Sequence, residues 1–168
     1  EQSLARQRVR WTTLEVTNAA SANGVTLTKQ PDGSLISAGE RPETDVYTIV
    51  ARNPLQRVTA LLIEVLADDR LPQRGPGRQD NGNLHLSELE VFAGVDQSTP
   101  IPIAGAIADL DQADWGIARA IDGVSQTAWG IYPQVGVSHE AAFEFREALD
   151  ADGADLKILL KQLHGGGH

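Results

Sequence analysis

The chain has 168 residues, of which 41% are hydrophobic and 22% charged, with a net charge of −9 at pH 7 and no cysteine. That balance suits one folded domain with its own core, and it disfavours a nucleic-acid partner, because no basic patch is available to neutralise phosphates. The missing thiols exclude disulfides, thiolate metal sites, a cysteine nucleophile and covalent haem attachment within the chain.

Arg6, Arg8 and Arg10 form the only basic cluster, read as a solvated start to the domain or a contact for an acidic neighbour. The chain opens on Glu1 and holds no apolar run of the length of a signal peptide or membrane span, so the expectation is a part of a larger exported protein, periplasmic or extracellular.

Sixteen glycines and eight prolines cut the sequence into short runs, few of which hold a helical period for three turns, so an all-β fold with little helix is expected. Residues 25–28 and 35–37 flank Pro31-Asp32-Gly33-Ser34 and read as a hairpin. Residues 45–50 alternate β-branched and aromatic side chains as a strand does. The run 58–66 is the most apolar in the chain and is expected as a central strand. Residues 84–92 form a further strand whose alternation slips at Glu88, as a bulge or a functional carboxylate would make it slip. One short helix or 3-10 turn is expected within 109–119, and two last strands, 141–145 and 156–163, are joined by a turn at Asp150-Ala151-Asp152-Gly153. About eight strands at this spacing argue for a jelly-roll β-sandwich. The domain is expected over 1–163, with 164–168 as a flexible Gly/His tail.

The stretch 120–130 carries the clearest chemistry. Asp122-Gly123 makes a tight turn, because Gly accepts positive φ and Asp bonds the backbone two residues on. A carboxylate, a hydroxyl and freed carbonyls are the hard ligands calcium takes, and Trp129 can seal such a loop onto a core. The plainer reading is a β-turn beside a buried Trp.

The pattern Ala-x-Asp-Gly-x-x-x-Thr-x-Trp at 120–129, taken with Ser87-Glu88-Leu89-Glu90-Val91, resembles the discoidin or coagulation-factor type C modules of the galactose-binding-like fold. The resemblance implies a jelly roll that binds sugar and holds a structural calcium. On it, Asp122 and Thr127 would give side-chain oxygens, Glu88 a carboxylate, and the loop around Arg119 and Val124 backbone carbonyls. The usual order places the Asp-Gly loop before the Glu-x-Val strand; here the strand comes first, so a permuted topology is implied. Residues 71–88 also resemble a segment of large secreted planctomycete proteins that carry cytochrome-c-like domains. In those proteins a Gln-x-His-Gly segment, like that beginning at Gln162, leads to a further strand that this sequence lacks. That resemblance implies a binding or assembly module whose last strand is missing or supplied otherwise.

The loop Gly75-Pro76-Gly77-Arg78 fits neither the dinucleotide fingerprint nor the P-loop. Arg78, Asn81 and Asn83 suit hydrogen bonds to sugar hydroxyls or, on the plainer reading, bonds within the turn. Sugar stacking needs an exposed aromatic; at least two of the three Trp are expected in the core, leaving Trp115 and Tyr132 as the exposed candidates. His85, His139, His164 and His168 match no metal or catalytic spacing, Ser87 lacks a nucleophile elbow, and Glu64, Glu88, Glu90 and Glu144 would pair for glycoside hydrolysis only by coincidence. The sequence therefore reads as a non-catalytic carbohydrate-binding-like module with a structural calcium and a polysaccharide or glycan partner. The alternative is a structural module that packs against neighbouring domains or subunits without a glycan.

Overall fold

The computed structural model describes residues 10–165. The chain is all-β. Among the described residues nine strands run as β1 Glu15–Ser21, β2 Val25–Lys29, β3 Leu35–Gly39, β4 Asp45–Arg52, β5 Arg57–Val65, β6 Glu88–Ala93, β7 Ile103–Ala108, β8 His139–Asp150 and β9 Leu156–Gln162. Two 3-10 turns, Pro72–Arg74 and Ile117–Ile121, are the helical elements.

The strands form a four-stranded sheet in the order β1-β4-β9-β6, a three-stranded sheet in the order β5-β8-β7, and the separate β2-β3 hairpin, with every pairing antiparallel. The two larger sheets bury one core between them. Leu89 and Val91 of β6 with Leu156 and Ile158 of β9 meet Leu61 of β5 and Ala141, Phe143 and Phe145 of β8 in a single cluster. β8 shows why: His139, Ala141, Phe143 and Phe145 alternate with exposed Glu140, Glu144 and Arg146, so the pleat sends one face inward and the other to water. Burial of an aromatic the size of Phe143 contributes about 1.5–3 kcal/mol.

Turn chemistry sets the joints. The β2-β3 hairpin closes on Asp32, whose Oδ1 accepts the Ser34 N–H at 3.0 Å and the Ser34 hydroxyl at 2.7 Å, while Gly33 takes a φ of 91° that a side chain would strain. Asp45 is buried and accepts the N–H groups of Ala22 and Asn23, each at 3.0 Å, which fixes the corner after β1.

Three expectations change. The apolar run at β5 is not a central strand: β8 holds the middle of that sheet and β5 lies at its edge. Its apolar residues Val58, Leu61, Ile63 and Val65 lie in or against the core, which reports burial and not sheet position. The strand expected over 84–92 starts only at Glu88; Leu86 makes instead a single antiparallel bridge to Trp129. Of the three Trp, Trp129 alone is fully buried, while Trp115 is half-buried and Trp11 is 48% exposed.

Candidate functional site

The bridge between Leu86 and Trp129 builds the site. Each donates its N–H to the other's carbonyl, at 3.0 and 2.9 Å, and the Trp129 indole N–H donates to the Leu110 carbonyl at 2.9 Å from a fully buried ring. Two residues on from Leu86, Glu88 opens β6 and lies against the Gly123–Val124 turn and Asp122. The loop is thereby folded onto the start of β6. Asp122 ties it internally: its Oδ1 accepts the Val124 N–H at 2.9 Å, and the Thr127 hydroxyl sits 2.9 Å from both Asp122 oxygens and from the Val124 carbonyl. Arg119 reaches Asp122 Oδ2 at 3.8 Å.

Glu88 completes this group of oxygens. Its Oε1 is buried with no hydrogen-bond partner, although the carboxyl faces the amides of Gly123 and Val124 and the Asp122 carboxylate. Burial, and then the Asp122 charge, push the Glu88 pKa above the usual carboxylate range. Asp122 moves the other way. Against the burial that would raise it, the Val124 amide, the Thr127 hydroxyl and Glu88 hold it below its ordinary value. The two carboxyls are therefore pushed apart in opposite directions, Glu88 toward its neutral form and Asp122 toward its charged form. Two carboxylates, a hydroxyl and a loop carbonyl form a hard-oxygen set of the chemistry calcium takes. Among the described residues, no three His, Cys, Asp or Glu side chains converge as a metal cluster, so the remaining ligands of a cation here would be carbonyls and water.

The expected glycan residues are engaged within the protein. Arg78 is buried and donates from its two terminal nitrogens to the Glu40 and Gly39 carbonyls, both at 2.7 Å. Asn81 Oδ1 accepts the Asn83 N–H at 3.0 Å. Asn83 is itself buried: its Oδ1 accepts the N–H groups of Ile131 and Tyr132 at 2.9 and 3.1 Å, and its Nδ2 donates to Gln112 Oε1 at 3.0 Å. Gln112, which the sequence did not single out, also accepts the Tyr132 N–H at 3.0 Å. Position 77 requires glycine: a Cβ there would lie 1.7 Å from the Asn83 carbonyl oxygen. Tyr132 is 47% exposed.

Trp115 is half-buried because His85 stacks on it, centroids 4.8 Å apart, and His164 meets it edge-on at 4.5 Å. His164 also lies 3.1 Å from the Gln126 carbonyl through Nδ1, so the start of the expected tail is seated on the loop; residues 166–168 lie outside the described residues, as do Arg6 and Arg8. Asn83 spends its oxygen on two backbone N–H groups, so its nitrogen faces His85 Nε2 at 3.3 Å and makes that nitrogen an acceptor. The other ring nitrogen, Nδ1, faces the Gln79 side-chain nitrogen at 3.0 Å. Burial, and then His164, lower the His85 pKa to about 4. His139 has opposite surroundings. Its ring nitrogens face Asp109 Oδ2 at 2.9 Å and the Gln134 carbonyl at 2.7 Å, both acceptors.

A groove of about 1230 Å³ runs beside β5. β5 forms one wall; Trp11, Leu14, Leu27 and Ile36 lie on the other, and Leu160 lines it as well. Pattern reading missed it because no motif marks it; it exists only where the two sheets part.

No family model, no curated protein and no solved structure matches the chain.

Proposed function

We propose that the chain is a non-catalytic interaction module of an exported multidomain protein, a jelly-roll sandwich of the galactose-binding-like kind that packs against a neighbouring domain or subunit. The observation that carries this is the apolar groove beside the open edge of β5, since broad apolar concavities and unpaired strand edges are what association uses. The polar residues a sugar would need around the 75–83 loop are spent on internal bonds. Calcium fits the module as a clamp. The buried, unpartnered Glu88 Oε1 beside the Asp122–Thr127 oxygens supports that assignment, and the ion would tie β6 to the loop that precedes Trp129 without taking part in any reaction.

The test places a photo-crosslinking residue at Thr59, exposed on β5, and at Ile107, 75% exposed on β7, in the protein within its native extract. One discrete adduct from Thr59, none from Ile107, and loss of the adduct on Ile63→Glu supports docking through the groove. Equal labelling at both positions, or none at either, sinks it. Exposed Tyr132 favours a second reading, glycan contact. Binding to a glycan array that Tyr132→Ala removes would establish that reading, and a blank array with folded protein would reject it.

A further inference from the structure

Four strands face three across the core. Among the described residues no strand pairs with the free edge of β5, and the groove lies beside it, lined also by Leu27 of β2 and Ile36 of β3. β5 is nine residues long and pairs only with β8. Among the described residues, no backbone hydrogen bond outside that ladder reaches residues 57–65. An open edge of this length presents a row of backbone donors and acceptors about 30 Å long.

The side chains on β5 say what would lie along it. Val58 and Leu61 are buried in the core, and Ile63 and Val65 pack against it from the groove side. On the outer face Glu64 sits directly opposite Glu140, and Ala60 opposite Glu144; all three glutamates are exposed. Like charges paired across a ladder are destabilising, and none of the three has an ion-pair partner among the described residues. A neighbouring strand with basic residues at its outward positions beside Glu64 and Ala60 would offset this acidic face, and its inward residues would cover Leu61, Ile63 and Val65.

We infer that β5 takes a strand from a partner polypeptide by antiparallel β-augmentation, a segment with alternate apolar residues facing the groove and basic residues facing Glu64 and Glu144. This rests on the groove being the module's docking surface, and adds what the partner must present. Backbone pairing supplies the attachment and the alternation supplies the selection.

The probe is a synthetic peptide Val-Arg-Val-Thr-Val-Arg-Val, with Val-Glu-Val-Thr-Val-Glu-Val as its charge-reversed control. Binding is followed by amide hydrogen exchange on the whole chain. The expected result is slowed exchange at alternate amides of residues 57–65 with the basic peptide, and affinity for the acidic one about tenfold weaker. Glu64→Lys should narrow or invert that preference while the circular dichroism spectrum stays unchanged. Equal affinity for the two peptides, or protection away from β5, overturns the inference. Protection of β5 that rises with protein concentration in the absence of peptide also overturns it, in favour of pairing between two copies of the chain. If Thr59 still gives its adduct in the native extract while neither peptide protects β5, the docking reading stands and strand addition falls.

Discussion

Glu88→Gln separates a calcium clamp from an ordinary buried turn. The Glu88 Oε1 atom is buried and accepts nothing, and an unsatisfied buried acceptor costs about 1–3 kcal/mol. The rest of the carboxyl is partly solvated, so screening places the cost near about 1 kcal/mol. Its folded pKa stands above the ordinary 4.5, so folding favours the protonated form. The stability Glu88 contributes is complete below pH 4.5 and is lost as pH rises through the raised folded value. In chelator at pH 8 the neutral Gln, whose amide can donate to Asp122, should therefore melt about 2–4 °C above the parent. Calcium reverses the order. At a hundred times its Kd an ion bound only by the folded chain adds about 2.7 kcal/mol, which is about 5–10 °C for a chain of this size. The Gln variant should lose most of that gain. Thermal melts of both proteins, in calcium and in chelator at pH 5 and pH 8, read all of these differences. A parent protein that melts at one temperature with and without calcium refutes the clamp, and a Gln variant less stable than the parent in chelator refutes the claim that Glu88 Oε1 is unpartnered.

Gly77→Ala should abolish or severely weaken folding, because its Cβ would sit 1.7 Å from the backbone oxygen of Asn83 and neither backbone can give way; the loss should reach at least about 3 kcal/mol by denaturant titration. His85→Phe keeps the stack on Trp115 and removes the titrating ring. Because His85 falls from 6.5 to about 4 in the folded chain, the parent should lose stability as pH drops from 6.5 toward 4, and the Phe variant should lose less over that window. Parallel slopes for the two proteins would show that burial does not hold the ring neutral.

Strands whose burial alternates were legible in the sequence, and those whose inward face is small or mixed were not. β8 alternates charged with aromatic residues and reads cleanly. β7 carries Gly105 and three alanines, and its Ile107 is 75% exposed, so no pattern distinguishes inside from outside. β1 has only Ala19 and Ser21 at the half-buried positions after Val16, and a bulge between Val16 and Asn18 breaks the count. The 75–83 loop shows the converse limit. Its Gly, Arg and Asn residues are the types that bind sugars and the types that close turns, and composition cannot separate the two uses. What decides is whether a backbone partner lies in reach, and for Asn83 those partners are Ile131 and Tyr132, far along the chain.

The same reasoning settles why the order of strand and loop does not matter to the Glu88–Asp122 site. A sequence that places Glu88 before Asp122 reverses the order expected from the resemblance, and spacing along the chain offers no way to bring them together. The antiparallel bridge of Leu86 with Trp129 does so without reference to order. Once that bridge exists, Glu88 two residues on lies against the Gly123–Val124 turn and Asp122, and Thr127 ties Asp122 within the same loop. The meeting of the two carboxylates thus depends on one long-range pairing, held by a Trp ring that is fully buried and bonded to Leu110. Trp129 is the link between fold and site: it packs the core, and it sets the register on which the oxygen cluster stands.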